Sequence, residues 1–159
     1  MLWKFGEERD SRRIARAIVM TRKEAPIVTT GQLAEIIKKA IPNWPKDKHP
    51  ATRSFQAIRI FINKELDDLE QGLAQSLEAL RVGGRLLVIS FHSLEDRIVK
   101  LFMQRHARGG DFPAGLPVKQ DQYRPRLKQV GRAVKPDSRE IEANPRARSA
   151  VLRIAEKLL

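Results

Sequence analysis

The sequence predicts an α/β fold with an all-helical stretch ahead of it, on three observations. Residues 85–91 run Arg-Leu-Leu-Val-Ile-Ser-Phe between a Gly83-Gly84 turn and the polar string His92-Ser93-Leu94-Glu95-Asp96-Arg97. Such an apolar run without alternation suits a strand buried on both faces, as in a parallel sheet flanked by helices. Apolar residues from Phe55 to Leu80 recur every three or four positions, the period of a helix. Every strand-like segment lies beyond residue 84, so roughly the first eighty residues read as helical.

Residues 7–24 form a helix with sorted faces. Arg9, Arg12, Arg13 and Arg16 gather on one side, and Ile14 and Ile18 face the other way. Thr29 and Gln32 supply an N-cap and its N3 partner, and Leu33, Ile36, Ile37, Ala40 and Ile41 follow at helical spacing up to Pro42. Thr30–Ile37 resembles the first helix of a helix-turn-helix, but no recognition helix follows at the usual short distance. Residues 42–50 are a polar, proline-rich loop. The stripe Phe55, Ile58, Ile62, Leu66, Leu69, Leu73, Leu77 and Leu80 then describes one long helix or two nearly collinear ones, with Gly72 as the weak point.

After the strand, Ser93 is expected to start a helix over 93–106, with Asp96 as its capping-box partner and Leu94, Ile98, Leu101 and Phe102 facing inward. Residues 107–126, rich in Gly and Pro, read as irregular. Residues 127–134 and 149–157 read as strands, separated by a short helix over 138–143 that Asn144-Pro145 ends. Three strands are too few for a stable doubly wound sheet. The exposed edge of the strand at 85–91 therefore predicts an isolated chain that aggregates or forms a homodimer.

The net charge of +12 over 159 residues favours a polyanionic partner, nucleic acid above all. Cysteine is absent, which removes disulfides, thiolate metal sites and a cysteine nucleophile. His49 precedes a proline and has no second histidine or acidic cluster at ligand spacing, so no metal site is expected. No apolar run approaches the ~20 residues of a membrane helix, and Met1–Glu8 has no signal-peptide core. The chain reads as soluble and cytoplasmic.

Ser90, His92 and Ser93 fall at the carboxyl end of the apolar strand, where open α/β sheets bind ligands. Asp96 and Arg97 are close enough in sequence to orient them. These five residues are the candidates for a substrate pocket. Arg9, Arg12, Arg13, Arg16, His49, Arg53, Arg59, Arg146 and Arg148 are the candidates for RNA contact, since basic side chains position a phosphate backbone without reading its sequence. Trp3, Trp44, Tyr123 and His92 are the rings available for stacking on a base, with Trp3 better suited to a core or interface. A serine-hydrolase reading lacks the Gly-x-Ser-x-Gly elbow.

Four strings carry a resemblance: Gly6-Glu7-Glu8-Arg9 with Arg12–Ile18, His49–Arg59, Gly83-Gly84-Arg85 with Ile89–Lys100, and Asn144–Ser149. In this order and spacing they resemble the bacterial small-subunit ribosomal RNA cytosine-N4 methyltransferase family, the RsmH or MraW type. The resemblance implies the carboxyl-terminal part of a class I (Rossmann-like) methyltransferase sheet, with a preceding all-helical inserted module. Residues 1–60 would be the substrate-recognition module and 61–159 a partial methyltransferase domain. The strands at 85–91, 127–134 and 149–157 would be the fifth, sixth and seventh, lying in the order five-seven-six with the seventh antiparallel. The implied cofactor is S-adenosylmethionine, and the implied partners are small-subunit ribosomal RNA and a missing amino-terminal half.

The family's glycine-rich cofactor loop has no counterpart in the chain. Gly83-Gly84 precedes a strand, whereas a cofactor loop follows one and opens a helix. The reaction implied is an in-line displacement at a sulfonium methyl. The enzyme helps by holding amine and methyl about 3 Å apart and aligned, with the base drawn out of its stack. The chain alone is expected to be inactive. The alternatives are a non-catalytic basic RNA-binding or ribosome-associated module, and an unrelated helical DNA-binding protein, against which the buried strand argues.

Overall fold

The structure is a computed structural model that describes residues 1–41, 43–44, 49–109 and 124–159. The chain divides into two compact units, Met1–Glu65 and Leu66–Leu159.

The first unit is helical: α1 (Leu2–Gly6), α2 (Ser11–Glu24), α3 (Thr30–Ala40) and α4 (Thr52–Asn63). Leu2, Ile14, Ile37, Ala40, Ile41, Ala51 and Ala57 form its core, with Phe5, Ile18, Leu33, Phe55 and Ile58 packed around them. The expected helix over 7–24 starts later. Glu7 adopts a left-handed conformation (φ 48°), its N–H bonding back to Leu2 and Trp3, so the chain turns before α2 begins. Arg9 therefore lies in that turn, outside the helix. Gly6 brings α1 against α4: a Cβ there would stand 2.5 Å from the Arg53 carbonyl oxygen. The capping box that opens α3 forms as expected. The Thr29 hydroxyl accepts from the Gln32 N–H at 3.1 Å, and Gln32 Oε1 accepts from the Thr29 N–H at 3.1 Å. Pro42, expected to stop α3, lies outside the described residues.

The long apolar stripe is two helices, α4 and α5 (Glu65–Ala79), and the break falls at Lys64 rather than Gly72. Lys64 takes φ 53°, a left-handed cap that ends α4. Ile62, expected in the stripe, is 69% exposed, while Ile60 takes the buried position on α4. Gly72 sits within α5, in open space.

The second unit holds α5 together with β1 (Arg85–Ser90), α6 (Ser93–Ala107), β2 (Leu127–Gln129), α7 (Ser138–Ala143), a 3-10 helix (Pro145–Ser149) and β3 (Val151–Lys157). The sheet order is β1-β3-β2, with β3 antiparallel to both neighbours. That is the order the resemblance implies for these three strands. The expected strand over 127–134 is shorter, because the chain leaves β3 at the left-handed Gly131 (φ 71°) and rejoins it only where Val134 bridges Leu152.

Alternate positions on the strands divide the sheet into two faces. Leu86 and Val88 of β1, Ala155 of β3 and Leu127 of β2 pack with Leu73 and Leu77 of α5 and Val99 and Met103 of α6. The other face is open. Leu87 and Ile89 are 58% and 59% exposed, so the strand expected to be buried on both faces is covered on one only. Leu101, expected inward on α6, is also exposed, and Val99 and Met103 take the core positions.

Two cations lie on the covered face of β3, and each has a helix to answer it. The buried Lys157 ammonium donates to the carbonyl oxygens of Leu77 (2.8 Å), Glu78 (3.4 Å) and Leu80 (2.7 Å) at the carboxyl end of α5. The helix dipole favours a cation there, and carbonyls with no partner inside the helix are satisfied. Arg153 meets the first turn of α6. No helix among the described residues is long and apolar enough to cross a membrane.

Candidate functional site

The junction of β1 and α6 holds all five pocket candidates. Ser90 is buried at the end of the strand, paired across to Val151. The helix is capped one residue earlier than expected. His92 is the N-cap, and Glu95, not Asp96, is its N3 partner. His92 Nδ1 accepts from the Glu95 N–H at 3.3 Å. Glu95 Oε2 in turn accepts from the N–H groups of Phe91 (2.9 Å) and His92 (3.3 Å). The longer glutamate side chain is the one that folds back to the strand end. Because Nδ1 accepts, the neutral imidazole carries its proton on Nε2. That nitrogen is screened from solvent, and Glu95 Oε1 stands 3.2 Å away without hydrogen-bond alignment.

Asp96 turns instead to β3. It receives both arms of Arg153, Nε at 2.7 Å and Nη2 at 2.9 Å. These hydrogen bonds hold the Asp96 carboxyl below its ordinary pKa, against the opposing effect of burial, and they raise that of Arg153. Ser93 and Arg97 are exposed on the first turns of α6. The site is thus a rigid corner in which one carboxylate caps the helix and another ties it to the sheet. The sequence reading missed Glu95 and Arg153. The signal for Arg153 was its parity in β3: it shares the covered face with Ala155, and a charge on that face needs a partner.

Gly83 and Gly84 are committed to closing the sheet. The Gly83 N–H donates to the Lys157 carbonyl at 2.8 Å, the Gly84 N–H to the Arg81 carbonyl at 2.9 Å, and the Gly84 carbonyl accepts from the Lys157 N–H at 2.9 Å. These amides are not available to cradle a ligand. With Glu95 and Asp96 also engaged, the described residues do not by themselves fit an S-adenosylmethionine site.

The basic candidates separate by their partners. Arg12, Arg13 and Arg16 on α2, and Arg9 in the turn before it, are exposed and have no ion pair among the described residues. Arg53 is exposed and donates to the Glu7 carbonyl at 3.4 Å. Arg59 is held in a fork by Glu65, which takes its Nε and Nη2 donors at 2.8 and 3.1 Å. His49 helps start α4. Its Nδ1 accepts from the Ala51 N–H at 3.2 Å, and its carbonyl accepts from the Thr52 hydroxyl at 2.7 Å. Arg146 and Arg148 are exposed on the 3-10 helix of the second unit. Trp3, expected in a core or interface, is 65% exposed. Tyr123 lies outside the described residues.

A mixed α/β protein with a small antiparallel sheet, consistent with a methyltransferase fold, is the class these observations define. The pattern of the MraW methylase family matches residues 1–158, and the chain belongs to that family. It is similar to the protein called ribosomal RNA small subunit methyltransferase H in Xanthomonas oryzae pv. oryzae (strain PXO99A), 60% identical over 158 residues, 99% of this chain and 47% of that one. The protein of that name in Chromohalobacter salexigens is 58% identical over 156 residues, 98% of this chain and 47% of its own. In Legionella pneumophila (strain Paris) the identity is 59% over 154 residues, 97% and 50% of the two chains. The chain spans about half the length of these curated relatives.

Proposed function

We propose that this chain is the carboxyl-terminal half of an S-adenosylmethionine-dependent enzyme that methylates the N4 amine of a cytosine in small-subunit ribosomal RNA. The likeness to ribosomal RNA small subunit methyltransferase H proteins over 99% of the chain carries this reading. The unit Met1–Glu65 engages RNA through the uncommitted arginines of α2. The unit Leu66–Leu159 supplies one flank of a larger Rossmann-like sheet, and its β1–α6 corner, with Ser90, His92, Ser93, Asp96 and Arg97, walls the pocket for the target base. The cofactor supplies the methyl group, and the chain's own part is to place the base and the phosphates. The open edge and face of β1 support a complementary half beside it. The protein works in the cytoplasm, where ribosomes are made.

A second reading, a non-catalytic RNA-binding module, is favoured by the engagement of both carboxylates at the strand end. Calorimetry separates the two. The chain alone should show no heat of binding with S-adenosylmethionine, while the chain co-produced with the amino-terminal half of one of its relatives should bind. Micromolar binding by the chain alone would refute the divided site, and no binding by the reconstituted pair would leave the module reading. For the RNA surface, Arg12→Ala with Arg16→Ala should weaken binding of an oligoribonucleotide and lower the salt slope of log K by about 1.4, or about 0.7 for each phosphate no longer neutralised.

A further inference from the structure

Beside the Asp96–Arg153 pair, with Arg153 in its wall, lies a cavity of about 200 Å³. Its wall includes Lys100 of α6, Arg153 of β3, and Gly131, Arg132 and Ala133 of the turn that follows β2, with Met103 as an apolar patch. Three of its eight lining residues are cationic and none is acidic. Lys100 and Arg132 have no ion pair among the described residues, and both are exposed. Asp96 occupies Nε and Nη2 of Arg153 and so fixes the plane of the guanidinium, leaving the Nη1 donors for a second acceptor. Lys100 and Lys135 both lie within electrostatic reach of that carboxylate. The N–H groups of Gly131, Arg132 and Ala133 donate to no backbone carbonyl among the described residues, and Gly131 has φ 71°. Consecutive free amides around a left-handed residue form a concavity suited to an anion.

We propose that Lys100, Arg132 and Arg153, with the 131–133 turn, form a phosphate-binding site, distinct from the arginine face of α2. Its ligand in the working enzyme is a phosphodiester of the RNA, which rests on the RNA reading above. The site is pre-organised at one point and adaptable at two. Arg153 is held by Asp96, and Lys100 and Arg132 close on the anion from exposed positions. None of the three was among the RNA-contact candidates drawn from the sequence.

The experiment uses the full chain and compares Lys100→Ala with Arg132→Ala against a charge-matched control, Arg81→Ala with Arg139→Ala. Arg153 is left intact because its loss would free a partly buried carboxylate. Thermal melts of each variant establish that it folds. Fluorescence anisotropy with a labelled oligoribonucleotide should show about tenfold weaker binding for the cavity variant and a salt slope smaller by about 0.7–1.4, with the control close to wild type. Inorganic phosphate should raise the wild-type melting temperature and leave that of the cavity variant unchanged. Wild-type RNA binding that the cavity variant and its control reduce equally would overturn the site and leave the RNA reading standing. A phosphate-dependent stabilisation confined to the intact cavity, with no RNA binding by the wild type, would overturn the phosphodiester assignment and the RNA reading together. A wild type that responds to neither ligand would overturn the proposal entirely.

Discussion

Lys157 shows how one side chain joins a strand to a helix. Its ammonium is buried and makes no ion pair among the described residues, and three carbonyls at the end of α5 accept its hydrogen bonds. Lys157→Met would keep the aliphatic stem and strip those oxygens of their donor. Denaturant unfolding should show a loss of about 1–3 kcal/mol, the cost of leaving a buried polar group unpaired. Lys128→Met, at an exposed position, should stay within about 0.5 kcal/mol. Asp96 acts through charge. Its carboxyl is depressed in the folded state, so the unfolded chain binds the extra proton as acid is added. The stabilisation from its pair with Arg153 is complete above the unfolded value near 3.8 and is lost as pH falls through the lower folded value. Glu78, depressed by its hydrogen bond to Arg126, changes in the same sense but is exposed. In Asp96→Asn, acid titration followed by circular dichroism should therefore show a shallower loss of stability below pH 4 than in the wild type.

Two glycines in helices have opposite meanings for the elements that hold them. Gly6 ends α1 where it crosses α4, and a methyl group there would collide with the Arg53 carbonyl. Gly6→Ala should destabilise the first unit by about 1–3 kcal/mol, the range for overpacking. Gly72 lies mid-helix in α5, with nothing within 4 Å of a built Cβ. Gly72→Ala should stabilise by about 0.5–1 kcal/mol, because the helix gains propensity and the unfolded chain loses freedom. Melting temperatures of the two variants, moving in opposite directions, test both statements. The same contrast explains why the sequence reading put the helix break at Gly72. Glycine marks a weak point in isolation, but the left-handed conformation falls on Lys64, a residue type with no local preference for it.

Across the molecule, basic residues are spread over both units: fourteen of the 31 lie in residues 1–65 and seventeen in 66–159. A polyanion could thus be met by either unit. The open face of the sheet is the other feature at this scale. Leu87 and Ile89 of β1 and Phe91 just after it are all more than half exposed, and among the described residues β1 pairs along one edge only. Apolar surface beside an unpaired edge promotes self-association. Light scattering of the chain should show mass rising with concentration, and Leu87→Gln with Ile89→Thr should suppress the rise. A wild type that stays monomeric at high concentration would show that this face tolerates water.

The capping box of α3, the helical period of α4 and α5, the strand at 85–90, the short helix at 138–143 and the family strings all lay in the sequence, because each depends on residues a few positions apart. Ser90, His92 and Ser93 stand where β1 ends and α6 begins, as the sequence suggested, since a strand and the helix after it are neighbours in the chain. Their roles were not legible. Asp96 was assigned to the cap because it lies three residues after Ser93, the spacing of a capping box, and Arg153, fifty-seven residues on, is brought to it by the pairing of β3 with β1. The basic cavity likewise needs α6, the 131–133 turn and β3 assembled together. Local patterning determined which elements form and which faces they offer, since backbone preference and side-chain period act over one or two turns. Only the tertiary structure decided which charges are spent on holding the fold and which remain for a ligand, because charges far apart in the chain meet only once the sheet has closed.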